Sequence, residues 1–444
     1  MRTYNFILIP FLICILFNTC SSKKEISKKN IDTDNTLNQQ AVNNKENLIY
    51  YNESLKKNIK TILCHKIEDE LSLPIINLNS NEKLQVSFDD LQANIKDYYF
   101  TIIHCNADWT RSDLMLTEYL FGFGEEPITN YEFSFNTIQK YTHYQFKFPT
   151  LDFKPLISGN YIFKIYEKGG ETIAYRRFMV LETKLNIKAN VKRSTHPEYR
   201  NSKHEIELLI QHPTLNVANP FSDIKIHIKQ NNRDDNAITN ITPLFVKNNE
   251  LIYDYNENKF WGNNEFRHFD ITSLRYQSDR IRKIELDSIS NNVYLFHDIK
   301  RSFNLYSIEP DINGKYLIKS QEGWKSSIEA DYTNVNFTIP MDYVSYGDLY
   351  IFGELSDWKI NKNYKLNYNF SKKQYEGSVL LKQGYYNYHY VLNDTTTKRI
   401  DVSFIEGTHY QTRNDYFIYV YHRSIGDRYD SFVGFIKTSS KELF

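Results

Sequence analysis

The residue types best able to do chemistry stand almost adjacent in one run, residues 98–109, Tyr-Tyr-Phe-Thr-Ile-Ile-His-Cys-Asn-Ala-Asp-Trp. His104, Cys105 and Asp108 there supply a base, a thiol and a carboxylate. A nucleophilic thiol needs its base within hydrogen-bond reach. The aromatic and β-branched make-up of 98–105 predicts a strand, and neighbouring side chains of a strand point to opposite faces. Tyr98, Phe100, Ile102 and His104 then share one face, while Tyr99, Thr101, Ile103 and Cys105 share the other. His104 and Cys105 cannot serve each other. With both faces largely apolar, the run is expected to be a central strand covered on each side. Asn106-Ala107-Asp108 reads as its closing turn and Trp109 as an aromatic plug on the core.

Two further runs carry suspicious side chains. In residues 264–271, Asn-Glu-Phe-Arg-His-Phe-Asp-Ile, a strand would align Glu265 with Arg267 and His268 with Asp270. Such pairs are expected to be structural or surface features. Glu309-Pro310-Asp311-Ile312-Asn313-Gly314 resembles the first half of a calcium loop, but its twelfth position is Ser320, where a bidentate Glu is required. Asn313-Gly314 between strand-like runs reads as a hairpin turn instead. No metal-spaced His/Cys cluster, phosphate-cradling Gly loop or Gly-x-Ser-x-Gly elbow occurs. The residues call for no catalytic group, cofactor or metal, and the expectation is a non-enzyme.

What positions these runs is a β architecture. The chain has 444 residues, more than one hydrophobic core usually serves. Tyr and Phe number 35 and 29, a composition that suits pleated, half-buried surfaces. Lys+Arg and Asp+Glu are equal at 54 each, so the basic excess that a nucleic-acid binder needs is missing. Short apolar runs between turn residues predict an all-β protein of three consecutive immunoglobulin-like or early-set sandwiches after a disordered tether. The expected segments are 56–183, 184–333 and 334–444. One short helix is expected near 114–120, capped by Ser112 or Asp113. In the third segment, Gly353 followed by Trp358, then Gln383-Gly384-Tyr385-Tyr386-Asn387-Tyr388, resembles the early-set sandwich of glycogen-binding modules. Those tyrosines occupy both faces of one strand, so some must be core. The last hairpin, 416–422 against 429–436, is assigned to this third segment.

The N-terminus sets a compartment. Arg2 followed by the apolar run 6–17 has signal-peptide length and is too short to span a bilayer. Residues 1–19 read as a signal whose end resembles a bacterial lipoprotein signal, with Cys20 as the acylated first residue. Phe17 and Thr19 depart from the Leu and the small residue usual there. Residues 20–55 are rich in Lys, Asn, Asp and Ser and read as a flexible tether. The tether begins Ser-Ser-Lys-Lys, without the acidic run by which surface-exported lipoproteins of the Bacteroidetes resemble one another. The expected place is the periplasm, on an outer-membrane anchor. Cys64 and Cys105 remain in the body, in apolar runs that suit buried free thiols.

Taken in order, His104-Cys105-Asn106-Ala107-Asp108-Trp109, Ser158-Gly159-Asn160-Tyr161, Arg176-Arg177-Phe178-Met179-Val180, 264–270, 383–388 and Arg428-Tyr429-Asp430 resemble the plug family of the Bacteroidetes type IX secretion system. The likeness runs from Asn58 to Phe444. It implies a periplasmic, non-enzymatic protein whose partner is the system's outer-membrane translocon β-barrel, sealing the barrel's periplasmic opening while no carrier or cargo is engaged. Membrane contact would come through the acyl group at Cys20. The alternative reading is a glycan-binding lipoprotein of the cell envelope, motivated by 353–358 and the tyrosine-rich strand.

Overall fold

A computed structural model describes residues 49–239, 241–254 and 259–440. The signal at 1–19, Cys20 and most of the 20–55 tether lie outside the described residues. The body, Leu48–Phe444, is one compact unit. It is all-β, built from three two-layer sandwiches.

In the first sandwich, Glu53–Ser54, Thr172–Leu181, Gly159–Glu167, Tyr98–Cys105 and Glu126–Pro127 pair in that order, and Ile75–Asn77 lies parallel to Thr172–Leu181. They face Ile59–Lys66, Leu84–Asp90, Thr142–Phe148 and Asn130–Phe133. Between the layers is a core rich in aromatic rings, among them Phe88, Tyr98, Phe100, Tyr144, Phe148 and Phe163. Tyr98–Cys105 is a central strand, as its two apolar faces demand. The short helix is Leu116–Tyr119, and its first turn is closed differently from expectation. Glu118 reaches back to the Met115 N–H at 2.7 Å, because Ser112 is already committed to His104.

Order starts earlier than the expected tether end. The Tyr50 N–H donates to the Trp109 carbonyl, and Glu53–Ser54 pairs with Tyr175 and Ala174. The Tyr50 ring meets Tyr175 edge-on, and Arg177 sits over Tyr51. Ring contacts therefore hold a stretch whose polar neighbours read as linker.

The sheets also depart from sequence order. Arg267–Asp270 and Tyr316–Ile318, placed by sequence in the second segment, pair with Gly384–Asp394 in the third sandwich. That sandwich closes on Ile281–Leu286, Asn291–Leu295, Tyr332–Pro340, Gln374–Lys382 and Asn367–Asn369. The C-terminal hairpin, placed in the third segment, belongs to the second sandwich. Its strand Asp415–His422 pairs antiparallel with Ile224–Gln230 along that strand's whole length and with Ser431–Ser439 on its other side. The facing layer is Asn186–Arg193, Lys203–Gln211, Glu250–Tyr253 and Phe245–Lys247, with Lys259–Trp261 beside Lys203–Gln211.

The reason lies in the hairpin's side chains. Every residue of Asp415–His422 is buried. Tyr416, Ile418 and Val420 fill the second sandwich's core. Phe417, Tyr419, Tyr421 and Phe432 turn the other way, onto Cys105, Trp109, Ile162, Met179 and Leu181 of the first sandwich. A strand apolar on both faces is stable only between two layers, and this is where the fold offers them.

Truncating Phe432, fully buried at this seam, tests the arrangement. Phe432→Ala is expected to lower stability by about 3–5 kcal/mol in urea unfolding. Leu151→Ala, at a site 86% exposed, should leave the midpoint in place.

Candidate functional site

His104 and Cys105 do point to opposite faces. The His104 ring lies in the first sandwich, fully buried, with Nδ1 2.8 Å from Ser112 Oγ and Nε2 3.3 Å from the Ser158 carbonyl. Tyr161, Tyr429 and Tyr119 surround it with centroids at 4.8, 5.2 and 5.8 Å. Burial holds the imidazole neutral by lowering its pKa to about 4. Gly159 explains part of the Ser-Gly-Asn run. At φ +148°, a Cβ on it would stand 2.3 Å from His104 Nε2. Cys105 belongs to the seam with the C-terminal hairpin, and burial pushes its thiol well above the usual range. Cys64 is likewise a free thiol, pushed up to about 12 by burial. Neither thiol is ionised near neutrality, so neither is an available nucleophile.

The remaining polar residues of the run hold a joint together. Asp108 closes the turn by accepting the Thr110 N–H and hydroxyl at 3.0 and 2.6 Å. Asn160 donates to the carbonyls of Asn106 and Ala107 and accepts the Tyr421 hydroxyl at 2.9 Å. Asp430 accepts the Ala107 N–H at 2.9 Å and also binds Lys225. Arg177 lies over Trp109, donates to the Tyr50 carbonyl and pairs with Asp234. Four of the runs that sequence singled out separately, around residues 104, 158, 176 and 428, thus meet at one place. They join the first sandwich to the C-terminal hairpin and the second sandwich.

The 264–270 run is a joint too, with partners that sequence spacing did not suggest. Glu265 and Arg267 do not pair. Arg267 binds Glu406 and Asp298, with Nη1 2.9 Å from Asp298 Oδ1, all three buried. Burial alone would raise the Glu406 pKa, but the Arg267 and Arg301 guanidiniums overcome it and hold the carboxyl at about 2. Glu265 accepts the Tyr306 hydroxyl at 2.6 Å and the Arg413 N–H at 3.1 Å. His268 meets Asp279 rather than Asp270, whose carboxylate accepts the Thr272 N–H. Glu406 and Asp298 were missed by sequence reasoning. They stand 139 and 31 positions from Arg267, and no local pattern marks them.

Asp311 spends its carboxylate on the N–H groups of Phe266 and Asn313. Asn313-Gly314 has the positive φ angles of a tight turn but leads from a long irregular segment into Tyr316–Ile318, so it is not the expected hairpin. Among the described residues, no group of three or more His, Cys, Asp or Glu is placed to hold a metal.

Most of the aromatic residues that suggested sugar stacking are core, and the half-buried Tyr385 stacks on His268. Tyr386, Tyr388 and Tyr390 are buried, and the last two donate their hydroxyls to Asp298. Trp358 packs edge-on against Phe266 and Phe352. The third sandwich is tied to the first by a buried ion pair, Lys382 to Asp89 at 2.6 Å, with His143 and the Tyr332 hydroxyl also on Asp89. Burial would raise the Asp89 pKa, but Lys382 and His143 outweigh it and hold the carboxyl below its usual range. These groups satisfy one another, and the arrangement fixes the geometry between the first and third sandwiches.

One carboxyl has a pH signature. Burial raises the Glu265 pKa to about 7. A raised acid favours the protonated form in the folded state, so its contribution is present below pH ~4.5 and is lost as pH rises through 7. Glu265→Gln keeps an acceptor for Tyr306 and Arg413 without the ionisation. Urea unfolding should find it more stable than the parent at pH 8 by about 1–3 kcal/mol, a gain that shrinks as pH falls and is gone below the unfolded pKa of ~4.5. A parent that is no less stable relative to the variant at pH 8 would contradict this.

Comparison with known proteins then supplies a family. Residues 59–182 match the family model described as "Type 9 secretion system plug protein 1st domain". The chain is also similar to the crystal structure of a hypothetical protein from Parabacteroides merdae. That likeness has 33% identity and a TM-score of 0.85, over 88% of this chain and all of the other. No curated protein matches the chain.

Proposed function

We propose, from the premise that this chain belongs to the type 9 secretion system plug protein family, that it seals the periplasmic opening of the system's outer-membrane translocon barrel. Sealing applies while no carrier or cargo is engaged. The family makes the chain a component of that secretion machinery, with a place in the cell envelope and an association with the translocon.

The observation that carries the reading is the match over the first sandwich, 59–182. The build of the body supports it. A stopper must resist deformation, and here the first sandwich shares an apolar seam with the second and a buried ion pair with the third. Its polar clusters are engaged in joints, which fits a part that works by shape and contact. In this reading an acyl group on Cys20 and the segment that follows it, up to the first ordered contacts at Ile49 and Tyr50, hold the body beneath the outer membrane and raise its effective concentration at the barrel.

The test is genetic. Delete the protein in its native bacterium, in a strain that also lacks the cargo carrier, and measure entry of an antibiotic too large for ordinary porins. Severalfold greater entry, reversed by the intact gene, is the expected result. Unchanged permeability in that strain would overturn the sealing role.

A further inference from the structure

A cleft of about 570 Å³ opens between the first and third sandwiches. Ligand sites commonly fall between roughly 300 and 1,000 Å³. Five lysines line it, Lys57, Lys60, Lys362, Lys365 and Lys382, and no Asp, Glu or Arg does. In a chain whose charges balance at 54 each, that separation of sign is local. Two of the five are spent. Lys382 is buried on Asp89, and Lys365 holds Asp348 at 2.7 Å. Lys57, Lys60 and Lys362 have no carboxylate partner among the described residues.

The backbone is bent to place Lys60 there. An unbroken strand would turn Ile59 and Ile62 to opposite faces, yet both are buried in the first sandwich's core. A bulge between Lys60 and Leu63 reconciles them, with Thr61 at φ +47°, a conformation that β-branched residues rarely take. Lys60 and Thr61 are left facing the third sandwich, where Thr61 Oγ1 stands 2.6 Å from the Tyr332 hydroxyl. Lys57 and Lys362 stand exposed at the rim of the cleft, while Lys60 is half-buried within it. Burial lowers the Lys60 pKa, and no opposite charge restores it. An anion in the cleft would remove that cost.

We propose that this cleft binds a phosphate-bearing group of headgroup size, held by Lys57, Lys60 and Lys362. The choice of cation selects the ligand. The planar fork of arginine suits a flat carboxylate, whereas separate ammonium charges suit a rounded phosphoryl group approached from several sides. Asn334, Asn363 and Asn367 line the same cleft and bring amide donors for further phosphate oxygens. Lys57 and Lys60 come from the first sandwich side and Lys362 from the third, so the occupant ties the two together beside Asp89 and Lys382. The proposal does not depend on the plug reading.

The experiment titrates the full chain with inorganic pyrophosphate by calorimetry. Flotation with phosphatidylcholine vesicles, with and without phosphatidylglycerol, is measured beside it. The variants are Lys57→Gln/Lys60→Gln/Lys362→Gln and a charge-matched control, Lys188→Gln/Lys247→Gln/Lys398→Gln, at three exposed sites outside the cleft. None of the six lysines has an ion pair to lose, so all three proteins should melt together without ligand. One pyrophosphate per chain is expected, bound about tenfold or more weakly by the cleft variant and unchanged in the control. Citrate, whose charges sit on carboxylates, should bind the parent about tenfold more weakly than pyrophosphate. Vesicle binding that needs phosphatidylglycerol, is lost in the cleft variant and is displaced by pyrophosphate would identify the source as a lipid headgroup. Pyrophosphate binding without vesicle binding would identify a soluble phosphate ester. A parent that binds neither probe, an equal loss in the control, or citrate bound as tightly as pyrophosphate would overturn the proposal.

Discussion

The pairing of Asp415–His422 with Ile224–Gln230 is the contact on which the rest of the body depends. It brings back the end of the chain to complete a sheet begun some 190 residues earlier. The same strand presents Phe417, Tyr419 and Tyr421 to the first sandwich. Remove that strand and the second sandwich loses Tyr416, Ile418 and Val420 from its core, while the first loses the cover over Cys105, Ile162 and Met179. Loop closure of this length costs little more than that of a much shorter loop, because the entropy grows only with the logarithm of length. The burial it makes available is large. The chain's far end is therefore not an appendage but the middle layer of the molecule.

This layout explains why residues of catalytic type gather where the sandwiches meet. Burying a charged group is unfavourable unless partners replace water. The joints between sandwiches cross such regions and collect opposite charges, Asp430 with Lys225, Arg177 with Asp234 and Asp89 with Lys382, and Arg267 with Glu406 and Asp298 do the same inside the third sandwich. Clusters of acids, bases and imidazoles are also what active sites contain. The distinction lies in whether any group is left with unspent capacity facing a cavity. His104 is held neutral between Ser112 and the Ser158 carbonyl, and the thiols are held protonated by burial.

What was legible in the sequence follows from the range of each interaction. Strands such as Tyr98–Cys105 and Asp415–His422 are set by local composition and turn chemistry, and they were readable to within a residue or two. The opposition of His104 and Cys105 followed from the period of a strand alone. Helix capping failed at Ser112 because a tertiary partner, His104, competed for its hydroxyl. The placement of the C-terminal hairpin failed for a related reason. Alternation shows that a strand has two apolar faces but not which layers will cover them. Glu406 and Asp298 carried no signal, since a buried counter-ion is recognised only beside its partner. The family runs around 104, 158, 176 and 428 were visible, while their convergence on one joint was not.

The body holds together as one cooperative unit because the C-terminal strand is shared by two cores. Native-state hydrogen exchange read by mass spectrometry in low concentrations of urea tests it most directly. Peptides covering Tyr98–Cys105, Gly159–Glu167 and Asp415–His422 are predicted to open together, with the same free energy and the same urea dependence. A first sandwich that stays protected while the C-terminal hairpin exchanges freely, or the reverse, would contradict the account.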